Sequence, residues 1–296
     1  MKILALEASG PTAGCALAED GRVIGEYQVN YGKTHSQTLV PMLEELRRQT
    51  ELDLHTVDAI ALTAGPGSFT GLRIGAATAK GIALGLEKPI IAVSTLESLA
   101  FNLYGKDALI CPIMDARRRQ VYTAVYDGRA GRIMREAEPV SGAEDLPSDR
   151  SSRPVPADDR SGRPSGLFSV LPALLAPCPM GMEELLARLN ETGREVIFLG
   201  DGVPVYRGVI GETLAVPYFY APGHLSLQRA ASTAVLAGLL YEAKGEAVLT
   251  DADDFRPEYL RKTQAEQQRE KAQETGRMAA LSAGRLVREL RKEEKA

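Results

Sequence analysis

Three stretches carry residue types that could do chemistry. The first is Gly65-Pro66-Gly67-Ser68-Phe69-Thr70-Gly71-Leu72-Arg73-Ile74-Gly75. It follows the apolar run Ala59-Ile60-Ala61-Leu62-Thr63, which reads as a buried strand, and Leu72 to Leu86 after it reads as a helix. A strand, a glycine turn and a helix N-terminus in that order could bring backbone N–H groups onto an anion. The same residues also suit a tight turn that lets a helix sit close to a sheet. Neither a Walker lysine pattern nor a G-x-G-x-x-G spacing is there to favour phosphate. Ser68 and Thr70 are natural N-cap residues for the helix. The second stretch is Glu7-Ala8-Ser9-Gly10-Pro11-Thr12, at the end of the strand-like Ile3-Leu4-Ala5-Leu6. Glu7 could hold a metal-bound water there, or cap and pair locally. The third is Arg117-Arg118-Arg119, which could grip a phosphate but better suits a solvated turn between strands.

Other reactive residue types are sparse. Asp115, Asp201, Asp253 and Asp254 fall near element ends, with no base or nucleophile to pair them with. The histidines are His35, His55 and His224, and no two stand at ligand spacing on a helix. Cys15, Cys111 and Cys178 are odd in number and far apart, which argues against a disulfide framework and a structural zinc site. No Ser–His–Asp or Cys–His arrangement emerges, and His35 reads as a surface helix residue. No catalytic residue and no metal ligand is therefore assigned.

The elements that would position these stretches form two lobes, for which 296 residues suffice. With 44% hydrophobic and 25% charged residues the chain has ordinary globular composition. It has no signal-peptide pattern and no apolar run near the ~20 residues of a membrane span, so cytoplasm is the expectation. Residues 3–8 read as a strand, and a hairpin follows that turns at Asp20-Gly21. A helix capped by Thr34, with Gln37 as capping-box partner, carries Leu39, Leu43 and Leu46 on one face and Pro41 inside. After the glycine stretch come Pro89-Ile90-Ile91-Ala92-Val93 as a buried strand and Ser94 to Leu103 as a helix. The first lobe is thus placed at 1–104. A second, 105–260, opens with a strand from Ala108 to Asp115, answered by Val121 to Tyr126. It continues with a helix at Met182–Leu189 closed by Gly193, a strand from Val196 to Leu199, and a long helix from Ser226 to Lys244 packing back on the first lobe.

Glycine costs about 1 kcal/mol against alanine inside a helix, so the recurrence of Gly71, Gly75 and Ala79, then Gly81 and Gly85, needs a reason. Close backbone approach is that reason, either to the chain's own sheet or to a helix of another chain. Residues 141–166 contain six Ser, four Pro and three Gly and read as a disordered or loosely held insert. From Arg256 to Ala296, eleven Lys/Arg against seven Asp/Glu give +4, leaving −8 for the remainder of a chain of net charge −4. That tail, 261–296 in particular, reads as a charged, solvated helix rather than a nucleic-acid footprint.

Two lobes that each open with a strand and a hairpin suggest an α/β fold of duplicated ribonuclease-H-like lobes with mixed sheets. Actin, Hsp70 and the sugar kinases share this layout, known as ASKHA. Four stretches then resemble one family in its own order: Ile3 to Ser9, Gly65 to Gly75, Met114-Asp115-Ala116-Arg117-Arg118 with Val121-Tyr122, and Pro257-Glu258-Tyr259-Leu260-Arg261. The family is TsaB (YeaZ), a subunit of the bacterial machinery that makes threonylcarbamoyladenosine in tRNA. The resemblance covers roughly 1–135 and 195–265.

It implies a non-catalytic scaffold that pairs with a TsaD-type paralogue, which carries the metal and transfers the threonylcarbamoyl group. Pairing would use N-lobe helices of both chains in a four-helix bundle. The interface residues carried over are Leu39, Leu43, Leu46, Gly71, Arg73, Gly75 and Ala79. A TsaE-type ATPase would join the pair, and tRNA would be met through the complex. Separately, an apolar small-residue face left without its partner would tend to pair with itself, so a homodimer is expected of the chain alone. The paralogue's H-x-x-x-H metal motif corresponds here to Ser94-Thr95-Leu96-Glu97-Ser98, so no metal and no intrinsic cofactor is expected. Glu7, Ser9, Gly65, Gly67 and Ser68 would line a vestigial nucleotide cleft, with Ala8 replacing the family's usual threonine and weakening nucleotide binding. The alternatives are an actin-fold phosphotransferase and a glycoprotease-type peptidase.

Overall fold

Alternation along the first strand fixes the architecture. Leu4 and Leu6 face one side of a sheet and Ile3 and Ala5 the other, and all four are buried. A strand buried on both faces must lie central, with helices above and below. The computed structural model, which describes residues 1–32, 34–129 and 167–260, shows this arrangement twice. The 141–166 insert and the 261–296 tail lie outside the described residues.

In chain order the strands are β1 (Lys2–Glu7), β2 (Ala13–Glu19), β3 (Arg22–Val29), β4 (Ala59–Gly65), β5 (Ile90–Ser94), β6 (Leu109–Asp115), β7 (Gln120–Asp127), β8 (Ala173–Gly181), β9 (Val196–Leu199), β10 (Tyr218–Tyr220) and β11 (Leu249–Thr250). The helices are α1 (His35–Gln49), α2 (Phe69–Leu86), α3 (Thr95–Phe101), α4 (Met182–Thr192), α5 (Gly202–Thr213) and α6 (Ala230–Lys244).

The first sheet runs β11-β5-β4-β1-β2-β3. It is mixed: β1, β4 and β5 are mutually parallel, and β2, β3 and β11 are antiparallel to their neighbours. Asp20 and Gly21, at φ 48° and 75°, make the β2–β3 turn, the double left-handed conformation that Asp-Gly favours. On one face Leu39, Leu43 and Leu46 of α1 and Ala76, Ala79 and Ala83 of α2 pack on Leu4, Leu6, Cys15, Leu17, Ile60 and Leu62. On the other, Ala230, Ala234, Leu236, Ala237 and Leu240 of α6 cover Ile3, Ala5, Ala16, Ala18, Ala59 and Ala61. The small strand residues on this side let α6 lie close. Its N-terminus is held by Glu26 of β3, which pairs with Arg229 and accepts the Ala231 N–H at 3.0 Å.

The second sheet runs β10-β9-β6-β7-β8. α4 and α5 cover one face through Leu185, Leu186, Leu189, Tyr206 and Ile210, and α3 covers the other through Leu96, Leu99 and Ala100. Since α3 also contacts β4, β5 and α6, it is shared by both lobes. Among the described residues no helix is long and apolar enough to cross a membrane.

Several expectations are refined. The chain after the second lobe returns to the first sheet, with α6 on its face and β11 on its edge, so 230–259 packs with the first lobe. Thr34 is the N-cap of α1, but its side chain makes no capping bond, and Gln37 N donates to its carbonyl at 2.9 Å instead. The structure adds β8, β10 and α5 to the elements read from the sequence. Their sequences, ALLAPCPMG, YFY and GVPVYRGVIGET, hold proline or glycine, or are too short to show a period.

Candidate functional site

The C-terminal ends of β1 and β4 meet at the glycine loop. Gly71 and Gly75, one turn apart on α2, sit over Ala8: a β-carbon on Gly71 would fall well under 3.0 Å from the Ala8 carbonyl oxygen, and one on Gly75 at 3.2 Å from Ala8 Cβ. Gly67 is pressed against the Ser9 carbonyl in the same way. The close approach expected from the glycine spacing is therefore internal at these positions. Gly81 and Gly85 have nothing within 4 Å.

Three N–H groups of this stretch are engaged within the chain. Ser68 N donates to Ser9 O at 2.7 Å, Leu72 N to Ser68 O at 2.8 Å, and Gly71 N to the Ser68 hydroxyl at 3.3 Å. Ser68 is thus the side-chain cap of α2, while Thr70 lies inside its first turn. Of the cleft residues carried over, Glu7, Ser9 and Gly65 are buried, Gly67 half-buried and Ser68 exposed. Glu7 Oε1 accepts from Ser9 N at 2.7 Å and from the Ser9 hydroxyl. Burial pushes its carboxyl up, against the opposing pull of the Ser9 hydrogen bonds.

A segment from the far end of the sequence completes this site. Phe255 is buried in the α1/α2 core, Glu258 N donates to Ala64 O at 2.7 Å, and the Tyr259 ring lies 5.1 Å from Phe69. The Arg73 guanidinium also stands over the Phe69 ring, 5.3 Å from its centroid. Gly65, at φ 138°, leaves room for the Glu258 carbonyl. Two of the motifs that carried the resemblance, 65–75 and 257–261, are therefore neighbours in space at Gly65, Phe69, Glu258 and Tyr259.

The interface list needs correction. Leu39, Leu43, Leu46, Gly71, Gly75 and Ala79 are buried within the chain, because they form the face with which α1 and α2 cover their own sheet. Of the seven only Arg73 is exposed. What α2 turns outward is Arg73, Ala77, Gly81 and Leu84, flanked by the half-buried Ile74 and with Leu84 54% exposed. The neighbouring α1 exposes Val40 and Pro41.

Where the metal motif would fall, Ser94 caps α3, and Ser98 shares a 2.8 Å hydrogen bond with Thr233 of α6. One turn on, Asn102 accepts from the Ser232 hydroxyl at 2.6 Å. Both serines are buried, so this face of α3 ties helices together. Glu97 beside them is buried and accepts two N–H groups, from Val170 and Leu171, each at 2.8 Å. Among the described residues no group of three or more His, Cys, Asp or Glu could hold a metal ion.

In the second lobe Arg117, Arg118 and Arg119 form the exposed β6–β7 turn, all three in the left-handed region at φ 60°, 55° and 62°. Asp115 accepts from Arg117 N at 2.9 Å, and Tyr206 donates to Gln120 O at 3.2 Å, bracing the turn. Asp201, at the start of α5, has a buried oxygen without a partner. Burial, with Asp115 nearby, pushes its carboxyl up to about 6. An unfolded aspartate loses its proton near 3.9 (about). Between those values the folded chain binds more protons, so stability falls as pH rises. Asp201→Asn should abolish that decline and raise stability at neutral pH by about 2 kcal/mol, measured by urea unfolding across the acid-to-neutral range.

Comparison with known proteins agrees with this geometry. The family model described as TsaD, tRNA N6-adenosine threonylcarbamoyltransferase, matches residues 27–269. The tRNA threonylcarbamoyladenosine biosynthesis protein TsaB of Bacillus subtilis is 31% identical over 266 residues, covering 90% of this chain and 96% of that protein. The TsaB protein of Escherichia coli is 37% identical over 128 residues, 43% of this chain and 55% of its own length. Among solved structures, YeaZ from Pseudomonas aeruginosa aligns with a TM-score of 0.58 at 26% identity, covering 88% of this chain and 99% of that one.

Proposed function

This chain belongs to the TsaB (YeaZ) family of tRNA threonylcarbamoyladenosine biosynthesis proteins, and on that premise we propose that it is the non-catalytic scaffold subunit of a cytoplasmic tRNA-modifying complex. It pairs with a TsaD-type threonylcarbamoyl transferase through the outward face of α2 and the adjoining part of α1. A TsaE-type ATPase joins the pair, tRNA is met through the complex, and the same face supports homodimers when the partner is absent. The chain carries no metal or cofactor of its own.

The observation that carries the non-catalytic reading is the Ser98–Thr233 hydrogen bond at the place of a metal ligand. A buried hydroxyl already bonded within the fold is a poor ligand for a Lewis-acidic metal, and its neighbour Ser94 is occupied in capping α3. The phosphotransferase alternative is not favoured: the relatives carry a biosynthesis name, and the glycine loop bonds to Ser9 and Ser68.

The test is a tRNA modification assay with the catalytic paralogue, run with and without this chain. Modification should need the chain and survive Ser68→Ala. If Ser68→Ala abolished modification while the pair still formed, the loop would be doing chemistry and the scaffold reading would fail.

A further inference from the structure

Five residues, fastened to α3 by one carboxyl group, cross the junction of the two lobes. Residues 167–171 lie outside any helix or strand and lead into β8. Leu167 packs on the α1/α2 side of the first sheet and Val170 on its α6 side. The buried Leu171 enters the core that α3 shares with the second sheet. The segment is thus a strap with three apolar anchors in three cores, and Phe168 and Ser169 between them are exposed.

The backbone of the strap finds its acceptor in Glu97. Ser94-Thr95-Leu96-Glu97 has the S-x-x-E form of a capping box, in which the glutamate reaches back to the N-cap N–H. Ser94 fulfils its half, accepting from Glu97 N at 3.5 Å. The glutamate is used elsewhere: its Oε1 takes the N–H groups of Val170 and Leu171, each at 2.8 Å. The Ser169 hydroxyl, which donates to Leu171 O at 3.1 Å, also lies in hydrogen-bonding reach of the carboxyl. Glu97 is fully buried, and burial pushes its carboxyl up against the pull of these bonds. Keeping that group out of water opposes the hydrogen bonds it makes, so the closed strap is a balance of opposing terms.

We propose that Glu97 is a clasp that fastens the 167–171 strap across α3, and that its release frees the strap and loosens the lobe junction while both sheets stay folded. Without the carboxyl the N–H groups of Val170 and Leu171 lose their acceptor, and they recover one only by reaching water. Reaching water lifts the strap off α3 and takes Val170 and Leu171 out of their cores. Local opening of this kind is drawn from segments with few bonds of their own. α3 contacts β4, β5 and α6 of one lobe and β6 and β7 of the other, so the lifted strap uncovers the joint between the sheets. The clasp stands apart from the scaffold role, since it concerns how the lobes are joined and not what the outer helices bind.

Amide hydrogen exchange of the full-length chain tests it. In wild type at low urea, the Val170 and Leu171 amides should open together, before those of β1 and β6. Glu97→Met keeps the volume and removes the acceptor, whereas Glu97→Gln keeps both. Glu97→Met should speed exchange at Val170 and Leu171 by about a hundredfold or more. It should also speed exchange at Gly200, whose N–H joins the end of β9 to Ser226 O ahead of α6 at 2.7 Å. The β1 and β6 amides should exchange as in wild type, and Glu97→Gln should stay within about tenfold of wild type throughout. The clasp is overturned if the wild-type strap opens only with the whole fold, or if Glu97→Met leaves the strap or Gly200 unchanged. It is overturned equally if Glu97→Met fails to fold or accelerates β1 and β6 as much as the strap, or if Glu97→Gln matches Glu97→Met.

Discussion

Replacing Gly71 with alanine should destabilise the chain by about 3 kcal/mol or more, whereas the same change ten residues on, at Gly81, should stabilise it by up to about 1 kcal/mol. Both glycines lie in α2 and look alike in sequence. The difference is what the new methyl group meets. At Gly71 it falls on the Ala8 carbonyl oxygen, part of the main chain of the hairpin loop, which has no rotamer to change. Ala8 in turn follows Glu7, whose carboxyl is fixed by Ser9, and Ser9 is bonded to Ser68 at the start of α2. Moving α2 outward would break that ring of bonds and open the core beneath Ala76 and Ala79. At Gly81 nothing lies within 4 Å, so only the gain in helix propensity remains. Equilibrium unfolding of the two variants decides the matter. A Gly71→Ala protein as stable as wild type would show that the hairpin loop yields, and the close seating of α2 would lose its argument.

How much of this was legible in the sequence depends on where each signal resides. The buried strands β1, β4 and β5 were plain because parallel strands covered on both faces are continuous apolar runs, and Asp20-Gly21 fixed the hairpin through backbone conformation. The glycine spacing correctly announced close approach. It could not say to what, since the periodicity of one helix does not reveal which of its faces meets the sheet. The family resemblance assigns Leu39, Leu43 and Leu46 to a partner surface, whereas in the fold they form the apolar stripe with which α1 covers its own sheet. Glu97 gave no sign of its partners. Its spacing from Ser94 is that of a capping box, and only the fold brings it to Val170, 73 positions away, and to Leu171. Nor could the sequence place Phe255 to Tyr259 on the glycine loop, because that juxtaposition needs the chain to leave the second lobe and return.

Gly81→Glu should weaken pairing with the catalytic paralogue by about a hundredfold without lowering the unfolding temperature. Once the inward residues of α1 and α2 are assigned to the core, the faces left for a partner are Arg73, Ala77, Gly81 and Leu84, together with Val40 and Pro41. Small residues spaced every four along an exposed helix let a second helix approach closely, and Leu84 beside them supplies an apolar anchor. A glutamate at Gly81 has open space in the isolated chain, so it leaves the fold intact and costs nothing there. Against a partner helix it holds the backbones apart and buries a charge with no counter-ion on this face other than Arg73, two turns away. Gly75→Leu could not make this distinction, because Gly75 rests on Ala8 and a leucine there would disturb the chain's own packing before any partner arrived. Pairing is read by calorimetric titration of the purified chains. If Gly81→Glu binds the paralogue as wild type does while Leu84→Ala also has no effect, the outward face of α2 is not where the two chains meet.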